Sequence, residues 1–258
     1  GLSAQIGHGG IENHGSFHGN VSVTADGAVS AGDSTIARPE GIAIDVIGGR
    51  GTFSFARIGH GSNGEGNRRT IFDQNRSGNV DVMAPVGAIR LQGYNEPVGG
   101  SVSAWQYSEV QIGHGGSYSQ APTSGGSFLL PDTTAVTGTP DTSASGNINV
   151  FAGGTYQDSR YDRATDVGTQ LGISVQASGN FVSYGMIGHG GTNQRGNTNT
   201  GYQGNISVVA DQGDLMFAGG TDRVSERSWG YGRNHVQIGH GGYDVDGAKG
   251  GLITATAG

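Results

Sequence analysis

Branched apolar residues recur two positions apart in short runs along this chain, and the runs follow one another in a fixed order. One group follows a Gly-Asn pair and begins at Val21, Val80, Ile148 and Ile206. A looser group contains Ile42, Ile89, Ile173 and Leu215. Alternation of this kind is typical of half-buried strands, and the Gly-Asn pair favours a tight turn before each strand. The pattern therefore predicts an all-β chain.

A four-residue motif, Ile-Gly-His-Gly, punctuates these runs and marks a repeat. Its copies begin at Ile6, Ile58, Ile112, Ile187 and Ile238, which are 52, 54, 75 and 51 residues apart. Self-similarity at such periods is typical of stacked repeat architectures. The motif strand, the Gly-Asn strand and the looser run give three strands per repeat. We therefore expect a parallel β-helix with about one three-strand coil per ~52-residue repeat, while two coils per repeat remain the rival.

The repeats occupy the whole chain, so we expect a single uncapped segment over residues 1–258. It begins just before a motif strand and stops just after a Gly-Asn strand. At a strand spacing of ~4.8 Å, five coils would measure ~24 Å along the axis. Exposed solenoid ends invite edge-to-edge association unless they are capped. The expected partner is a longer chain of the same kind or a second copy stacked end to end.

Five of the eight histidines occupy the third position of the motif: His8, His60, His114, His189 and His240. A period of two places each histidine on the same face as its isoleucine, which predicts an inward structural ladder of Ile6, His8 and their equivalents. A metal shared between neighbouring histidines is the alternative, since imidazole is a common ligand. A linear ladder does not converge on one point as zinc requires, and no acidic residue recurs beside the motif. We predict no metal and no cofactor.

Other patterns that could carry chemistry occur singly. Residues 241–247 resemble one copy of a calcium-binding β-roll repeat, which needs consecutive copies to hold its ions. The carboxylate pairs Asp158 with Asp162 and Asp222 with Glu226 could serve a glycosidase, although solvated loop charges explain them equally well. The chain has no phosphate-binding Gly-Lys-Ser/Thr string. The sequence therefore predicts that the protein is not an enzyme.

Two segments mix aromatic residues with arginine, a combination enriched at interfaces. They lie at 155–170 and 221–235. We single out seven candidate contact residues in them: Tyr156, Arg160, Tyr161, Arg223, Trp229, Tyr231 and Arg233. The alternative is that these side chains pack down on the flank of their own coil.

Composition narrows the class of protein further. Glycine supplies 52 of 258 residues without a collagen-like period, and the formal net charge of −7 disfavours nucleic acid as a partner. No stretch approaches the ~20 apolar residues that span a bilayer. The chain has no cysteine, which is compatible with export.

The string Gln-Ile-Gly-His-Gly-Gly at 5–10, 111–116 and 237–242, with Gly-Asp-Leu-x-Phe-Ala-Gly-Gly at 213–220, resembles the repeats of filamentous-haemagglutinin-like bacterial surface proteins. This resemblance implies a right-handed parallel β-helix that is secreted to the bacterial cell surface. It also implies a structural or adhesive role in an extracellular fibre or filament, with loops that contact a host surface or a glycan. A carbohydrate-active enzyme or a phage-type fibre on the same scaffold is the alternative function.

Overall fold

The structure is a computed structural model that describes residues 3–11, 15–28, 40–49, 54–65, 74–93, 107–119, 142–158, 169–177, 182–192, 201–219, 233–243 and 248–258. The regular elements in these ranges are all β-strands, numbered β1 to β25, and they form five sheets. None of the described residues belongs to a helix that is long and apolar enough to cross a membrane. We call the strands contributed by one repeat a layer, and we number the sheets in the order in which the chain enters them.

Each sheet stacks corresponding strands of successive repeats. The first sheet contains β1 (Ser3–Ile6), β6 (Ser54–Ile58), β11 (Tyr107–Ile112), β17 (Val182–Ile187) and β22 (Arg233–Ile238). The second contains β2 (Gly9–Ile11), β7 (Gly61–Glu65), β12 (Gly115–Ser119), β18 (Gly190–Thr192) and β23 (Gly241–Tyr243). The third contains β3 (Phe17–His18), β8 (Gln74–Ser77), β13 (Thr142–Ser145), β19 (Tyr202–Gln203) and β24 (Lys249–Gly250).

The remaining two sheets carry the strands with the clearest apolar alternation. The fourth contains β4 (Val21–Thr24), β9 (Val80–Ala84), β14 (Ile148–Ala152), β20 (Ile206–Ala210) and β25 (Ile253–Ala257). The fifth contains β5 (Ile42–Ile47), β10 (Ala88–Gln92), β16 (Gln170–Gln176) and β21 (Asp214–Ala218). The short strand β15 (Tyr156–Gln157) pairs antiparallel with β16. The other strand pairs among the described residues are parallel.

The register of the sheets places each motif copy directly over the next. Ile58 pairs with Ile6 on one side and with Ile112 on the other. The long third repeat keeps this register, because Ile112 pairs with Ile187 although 75 residues separate them. Each repeat therefore forms one layer, and two coils per repeat do not fit these pairings.

The main hydrophobic core lies between the first, fourth and fifth sheets. Ile112, Ile148 and Ile173, one from each of these sheets, are 0% exposed and belong to the same buried cluster. Along β9 and β14, buried residues alternate with more exposed ones, as the period-two pattern predicts. Full burial of one such aliphatic side chain contributes about 1.5–3 kcal/mol, so this core is the main source of stability.

The expectation of three strands per repeat is wrong, because each of the first four layers contributes one strand to each of the five sheets, and the third layer contributes β15 as well. The three predicted strands are those of the first, fourth and fifth sheets, which face the core. The strands of the second and third sheets have sequences such as Gly-Gly-Ile in β2 and Gln-Asn-Arg-Ser in β8. These strands lack apolar alternation, and backbone pairing between layers holds them instead. Hydrophobic periodicity therefore cannot detect them.

Glycine is required at the motif turns because the backbone there has positive φ and a Cβ would meet the backbone of the neighbouring layer. Gly113 adopts φ +131°, a conformation that side-chain-bearing residues rarely adopt. A Cβ on Gly113 would overlap the carbonyl group of Gly188 in the next layer. The motif glycines therefore serve two purposes: they allow the turn, and they leave room for the neighbouring backbone.

Candidate functional site

The five motif histidines form one stack of imidazole rings that passes through all five layers. Ring centroids lie 5.0 Å apart for His8 and His60, 4.8 Å for His60 and His114, 4.9 Å for His114 and His189, and 5.0 Å for His189 and His240. The ring planes are nearly parallel, with interplanar angles between 1° and 15°. This spacing follows from the ~4.8 Å separation of paired strands, since each histidine lies two residues after the end of a strand of the first sheet.

Backbone groups occupy both nitrogens of the four rings that have a layer before them. The Nδ1 atoms of His60, His114, His189 and His240 accept hydrogen bonds of 2.9, 2.9, 3.0 and 3.3 Å from the backbone N–H of the preceding histidine. Their Nε2 atoms lie 2.8, 2.8, 2.9 and 2.7 Å from the carbonyl oxygens of Gly19, Gly78, Gly146 and Gly204. An accepting Nδ1 requires the proton on Nε2, which then donates to the glycine carbonyl. The geometry therefore fixes neutral rings in the Nε2–H tautomer.

The environment of the stack also favours neutral imidazole. Burial lowers the pKa of His114 to about 4 and holds the pKa of His189 well below its ordinary value. Burial lowers the pKa of His60 and His240 in the same direction. Charge repulsion from His60 and from the guanidinium groups of Arg76 and Arg57 also lowers the pKa of His114. A protonated ring in the stack would therefore be poorly solvated and would be repelled by the neighbouring positive charges.

This geometry gives the histidines a bracing role between sheets. Each of these four rings joins the turn after the first sheet to the turn before the fourth sheet, and it also joins two successive layers. A metal ion would compete with backbone groups for the Nδ1 lone pairs of these four rings. Among the described residues, no group of three or more His, Asp or Glu side chains is arranged to hold a metal ion. Asp158 accepts a long 3.4 Å hydrogen bond from Gln176, whereas Asp162, Asp222, Glu226 and residues 244–247 lie outside the described residues.

A second polar ladder follows the Gly-Asn turns on the exposed side of the layers. The backbone N–H of Asn79 donates to Oδ1 of Asn20 at 2.9 Å, and that of Asn147 donates to Oδ1 of Asn79 at 3.0 Å. The same bond joins Asn205 to Asn147 and Leu252 to Asn205, each at 3.0 Å. These contacts explain the Gly-Asn pair as a device that joins layers. They also account for the Asn-x-Ser strings at Asn20 and Asn205, which resemble glycosylation sites.

We expect Asn147→Ala to lower the free energy of unfolding by about 1 kcal/mol, because it removes the side-chain acceptor of the Asn205 N–H. The control is Asn149→Ala, two residues later in β14, which loses a side-chain bond to the Asp81 carboxylate and no bond to the backbone of another layer. Its expected effect is within about 0.5 kcal/mol. Urea unfolding followed by far-UV circular dichroism measures both variants. Equal losses in the free energy of unfolding would show that the asparagine ladder contributes no more to stability than an ordinary surface hydrogen bond.

The reverse face of the first sheet carries a buried charged cluster that the sequence analysis missed. Arg57 is 2% exposed and Glu109 is 4% exposed. The Arg57 Nε donates to Gln111 at 3.0 Å, and the Tyr184 hydroxyl donates to Glu109 at 3.0 Å. Burial, followed by the Glu109 charge, raises the pKa of Tyr184 well above its ordinary value. No sequence signal marks this cluster, because residues that alternate with core isoleucines usually face solvent.

The structure describes only some of the candidate contact residues. Tyr156 is 1% exposed in β15, and its hydroxyl lies 2.5 Å from the Ser174 hydroxyl. It packs on its own layer with Leu171, so its assignment as an exposed contact residue is wrong. Arg233 begins β22, and nothing is described of its side chain. Arg160, Tyr161, Arg223, Trp229 and Tyr231 lie outside the described residues.

The structure therefore brings together the ten motif residues Ile6, His8, Ile58, His60, Ile112, His114, Ile187, His189, Ile238 and His240 in one axial ladder. Within the described ranges, the other candidate residues do not come together in a catalytic or ligand-binding site. Comparison of the chain with protein-family models, curated proteins and solved structures finds no match in any of the three.

Proposed function

We propose that this chain is a structural and adhesive segment of an extracellular fibre on the bacterial cell surface. It would fold as a right-handed parallel β-solenoid with one coil per repeat. The observation that carries the proposal is the histidine stack, in which the most regular polar residue of the sequence hydrogen-bonds to the backbone in four successive layers. If these histidines acted on a substrate, their ring nitrogens would have to be free of backbone hydrogen bonds.

The sheet pairings support the solenoid interpretation. Successive layers pair strand for strand in parallel, and the connections return to the same position one layer later. Parallel strands joined in this way are right-handed in about 98% of known cases, which supports the proposed hand. A stiff, continuous body of this type suits a mechanical role, since backbone hydrogen bonds join the first four layers to one another in all five sheets.

The surface location rests on the resemblance of the motifs to filamentous-haemagglutinin-like repeats, and the lack of cysteine in the sequence is compatible with it. The adhesive part of the role would belong to segments between the strands, which differ in length from repeat to repeat. A host surface or a glycan is the expected class of contact.

Immunogold electron microscopy of the source cells tests this function. We expect an antibody against the chain to label extended fibres outside the cell. Purified chain, incubated with a panel of polysaccharides, should release no reducing ends. Labelling confined to the cell interior, or cleavage of a polysaccharide, would overturn the proposal in favour of another role.

A further inference from the structure

We propose that residues 153–158, which we call the clasp, join four successive layers of the fifth sheet to one another from outside the stack. The clasp follows β14 directly and contains the short strand β15 (Tyr156–Gln157). Its role concerns how the layers stay together, so it goes beyond the proposed function and does not depend on it. The evidence lies in contacts that depart from the repetition of the chain.

The path of the chain between the fourth and fifth sheets is different in the third layer. In the second and fourth layers, only residues 85–87 and 211–213 separate the two strands. In the third layer β14 ends at Ala152 and β16 begins at Gln170, with β15 between them. β15 pairs antiparallel with β16, whereas the other strand pairs among the described residues are parallel. This strand is therefore an addition to the layer pattern, and repetition does not account for its contacts.

The tyrosine of β15 is buried in a small apolar cluster to which each strand of the fifth sheet order contributes. Tyr156 is 1% exposed. The cluster is distinct from the main core, and its other members come from four successive layers: Ile42 in β5, Ala88 in β10, Leu171 in β16 and the partly buried Met216 in β21. One side chain of the third layer thus shares a cluster with residues of the first, second and fourth layers.

The hydroxyl group of Tyr156 places the clasp on the outer face of the fifth sheet. Its oxygen lies 2.5 Å from the Ser174 hydroxyl oxygen. Ser174 lies between Ile173 and Val175, which belong to the main core, so its side chain points to the opposite face of the strand. Ser174 is nevertheless 0% exposed. The clasp therefore packs against the face that is turned away from the main core.

Backbone hydrogen bonds attach the beginning of the clasp to the second layer. The Gly153 N–H donates to the Ala84 carbonyl at 2.8 Å, and the Gly154 N–H donates to the Gly87 carbonyl at 3.2 Å. Ala84 ends β9, and Gly87 immediately precedes β10. These two bonds hold the clasp against the turn between the fourth and fifth sheets of the layer below, so Tyr156 enters its cluster from a fixed position.

Glycine leaves room for the clasp in the first and fourth layers. Gly41 has φ +92°, and a Cβ on it would overlap the carbonyl oxygen of Thr155. Gly213 has φ +79°, and a Cβ on it would lie 2.6 Å from the Thr155 Cγ2 atom. Gly41 immediately precedes β5, and Gly213 immediately precedes β21. Thr155 is therefore in close contact with the outermost two of the four layers.

These contacts change how the layers depend on one another. Stacked repeats are ordinarily held by contacts between nearest neighbours. The clasp adds a contact beyond nearest neighbours, because Tyr156 of the third layer shares its cluster with Ile42 of the first. Separating the first two layers from the rest of the fifth sheet would pull that cluster apart. We expect the strands of this sheet to open together, rather than one layer at a time.

Hydrogen exchange of the purified 258-residue chain, resolved by mass spectrometry, tests the clasp. Tyr156→Ala removes the ring from the cluster, and Tyr156→Phe keeps the ring and removes only the contact with Ser174. Val150→Ala is the matched control, because Val150 is a buried residue of the main core in β14, the strand directly before the clasp. The quantity compared is the exchange rate of β5 and β10 divided by that of β4 and β9, which belong to the same two layers but to the fourth sheet.

We expect Tyr156→Ala to raise this ratio by about a hundredfold, the usual scale of effect when a buried aromatic ring is removed. Tyr156→Phe should raise it by about fivefold, which corresponds to the loss of one hydrogen bond. Val150→Ala should leave the ratio near its wild-type value, since a cavity in the core that the fourth and fifth sheets share loosens both of them.

An unchanged ratio in Tyr156→Ala would overturn the clasp, because the first two layers would then not depend on a residue of the third. Faster exchange confined to β15 and β16 would overturn it as well, since Tyr156 would then stabilise only its own layer. If Tyr156→Ala does not fold, Tyr156→Phe decides by the same two criteria. None of these results depends on where the protein is located, so the immunogold experiment and this one fail independently.

Discussion

Gly146→Ala is expected to lower the free energy of unfolding by more than about 4 kcal/mol, a loss well beyond that of ordinary substitutions. Gly146 adopts φ +128°, and a Cβ built on it would overlap the carbonyl oxygen of Gly78 in the preceding layer. The backbone cannot move aside easily, because the Gly146 N–H is bonded to Gln203 at 3.2 Å and the Gly78 N–H to Ser145 at 3.1 Å. The methyl group would therefore force neighbouring layers apart.

Gly19→Ala provides a matched control for the same turn. Gly19 is the equivalent residue of the first layer and has φ +130°, but a Cβ there would have nothing within 4 Å. Its substitution should cost only the backbone strain, about 1–3 kcal/mol. Denaturant unfolding of both variants measures the difference, which isolates the contact between layers. Similar losses in the two variants would mean that backbone strain, rather than layer spacing, explains the glycine.

The second expected result is a steep loss of stability in acid. The folded chain keeps His114 neutral down to a pKa of about 4, whereas the unfolded chain protonates this residue near 6.5. Stability is therefore fully present above pH 6.5 and decreases as the pH falls from there toward 4. Because one pKa unit corresponds to about 1.36 kcal/mol, His114 alone should remove roughly 3 kcal/mol by the end of this range.

The other buried rings add to this loss in the same direction. The lowered pKa values of His60, His189 and His240 have the same cause, burial, and so the same sign. Since small proteins are stable by only about 5–15 kcal/mol, we expect the chain to unfold between about pH 6 and pH 4. Urea unfolding at a series of pH values measures the effect.

His114→Gln separates the titration from the loss of a bracing residue. This variant should be less stable than the wild type at neutral pH, but its further loss in acid should be smaller by about 3 kcal/mol. Asn147→Ala is also destabilised and removes no titrating group, so its acid profile should keep the wild-type shape. If His114→Gln loses stability in acid as steeply as the wild type, the histidine stack is not the acid-sensitive element.

The sequence predicts the parts of this fold that depend on apolar periodicity and repetition. Val80, Ile89 and Ile112 all face the core, and each belongs to a strand whose alternation is visible in the sequence. The inward direction of the histidines follows from the same arithmetic. Parallel, in-register stacking follows from the repetition of identical motifs, because identical side chains can then lie over one another.

The missed features depend on partners that are distant in the sequence. Arg57 and Glu109 alternate with core residues, yet both are buried, and they lie 4.0 Å apart as an ion pair between successive layers. The strands of the second and third sheets exist because a neighbouring layer offers backbone partners. Tyr156 is buried by packing with Ile42 and Leu171. None of these contacts produces a periodic pattern of apolar residues within one repeat.

The long third repeat has a consequence for how this protein can change over time. Its extra residues fall largely between β12 (Gly115–Ser119) and β13 (Thr142–Ser145), yet β13 still pairs with β8 at Thr142 and Gln74. The entropy of closing such a connection grows slowly, by about 0.6 kcal/mol for each doubling of its length. Insertions there are therefore nearly neutral for the fold, so this connection can acquire or exchange whole peptides while the stacked layers remain as they are.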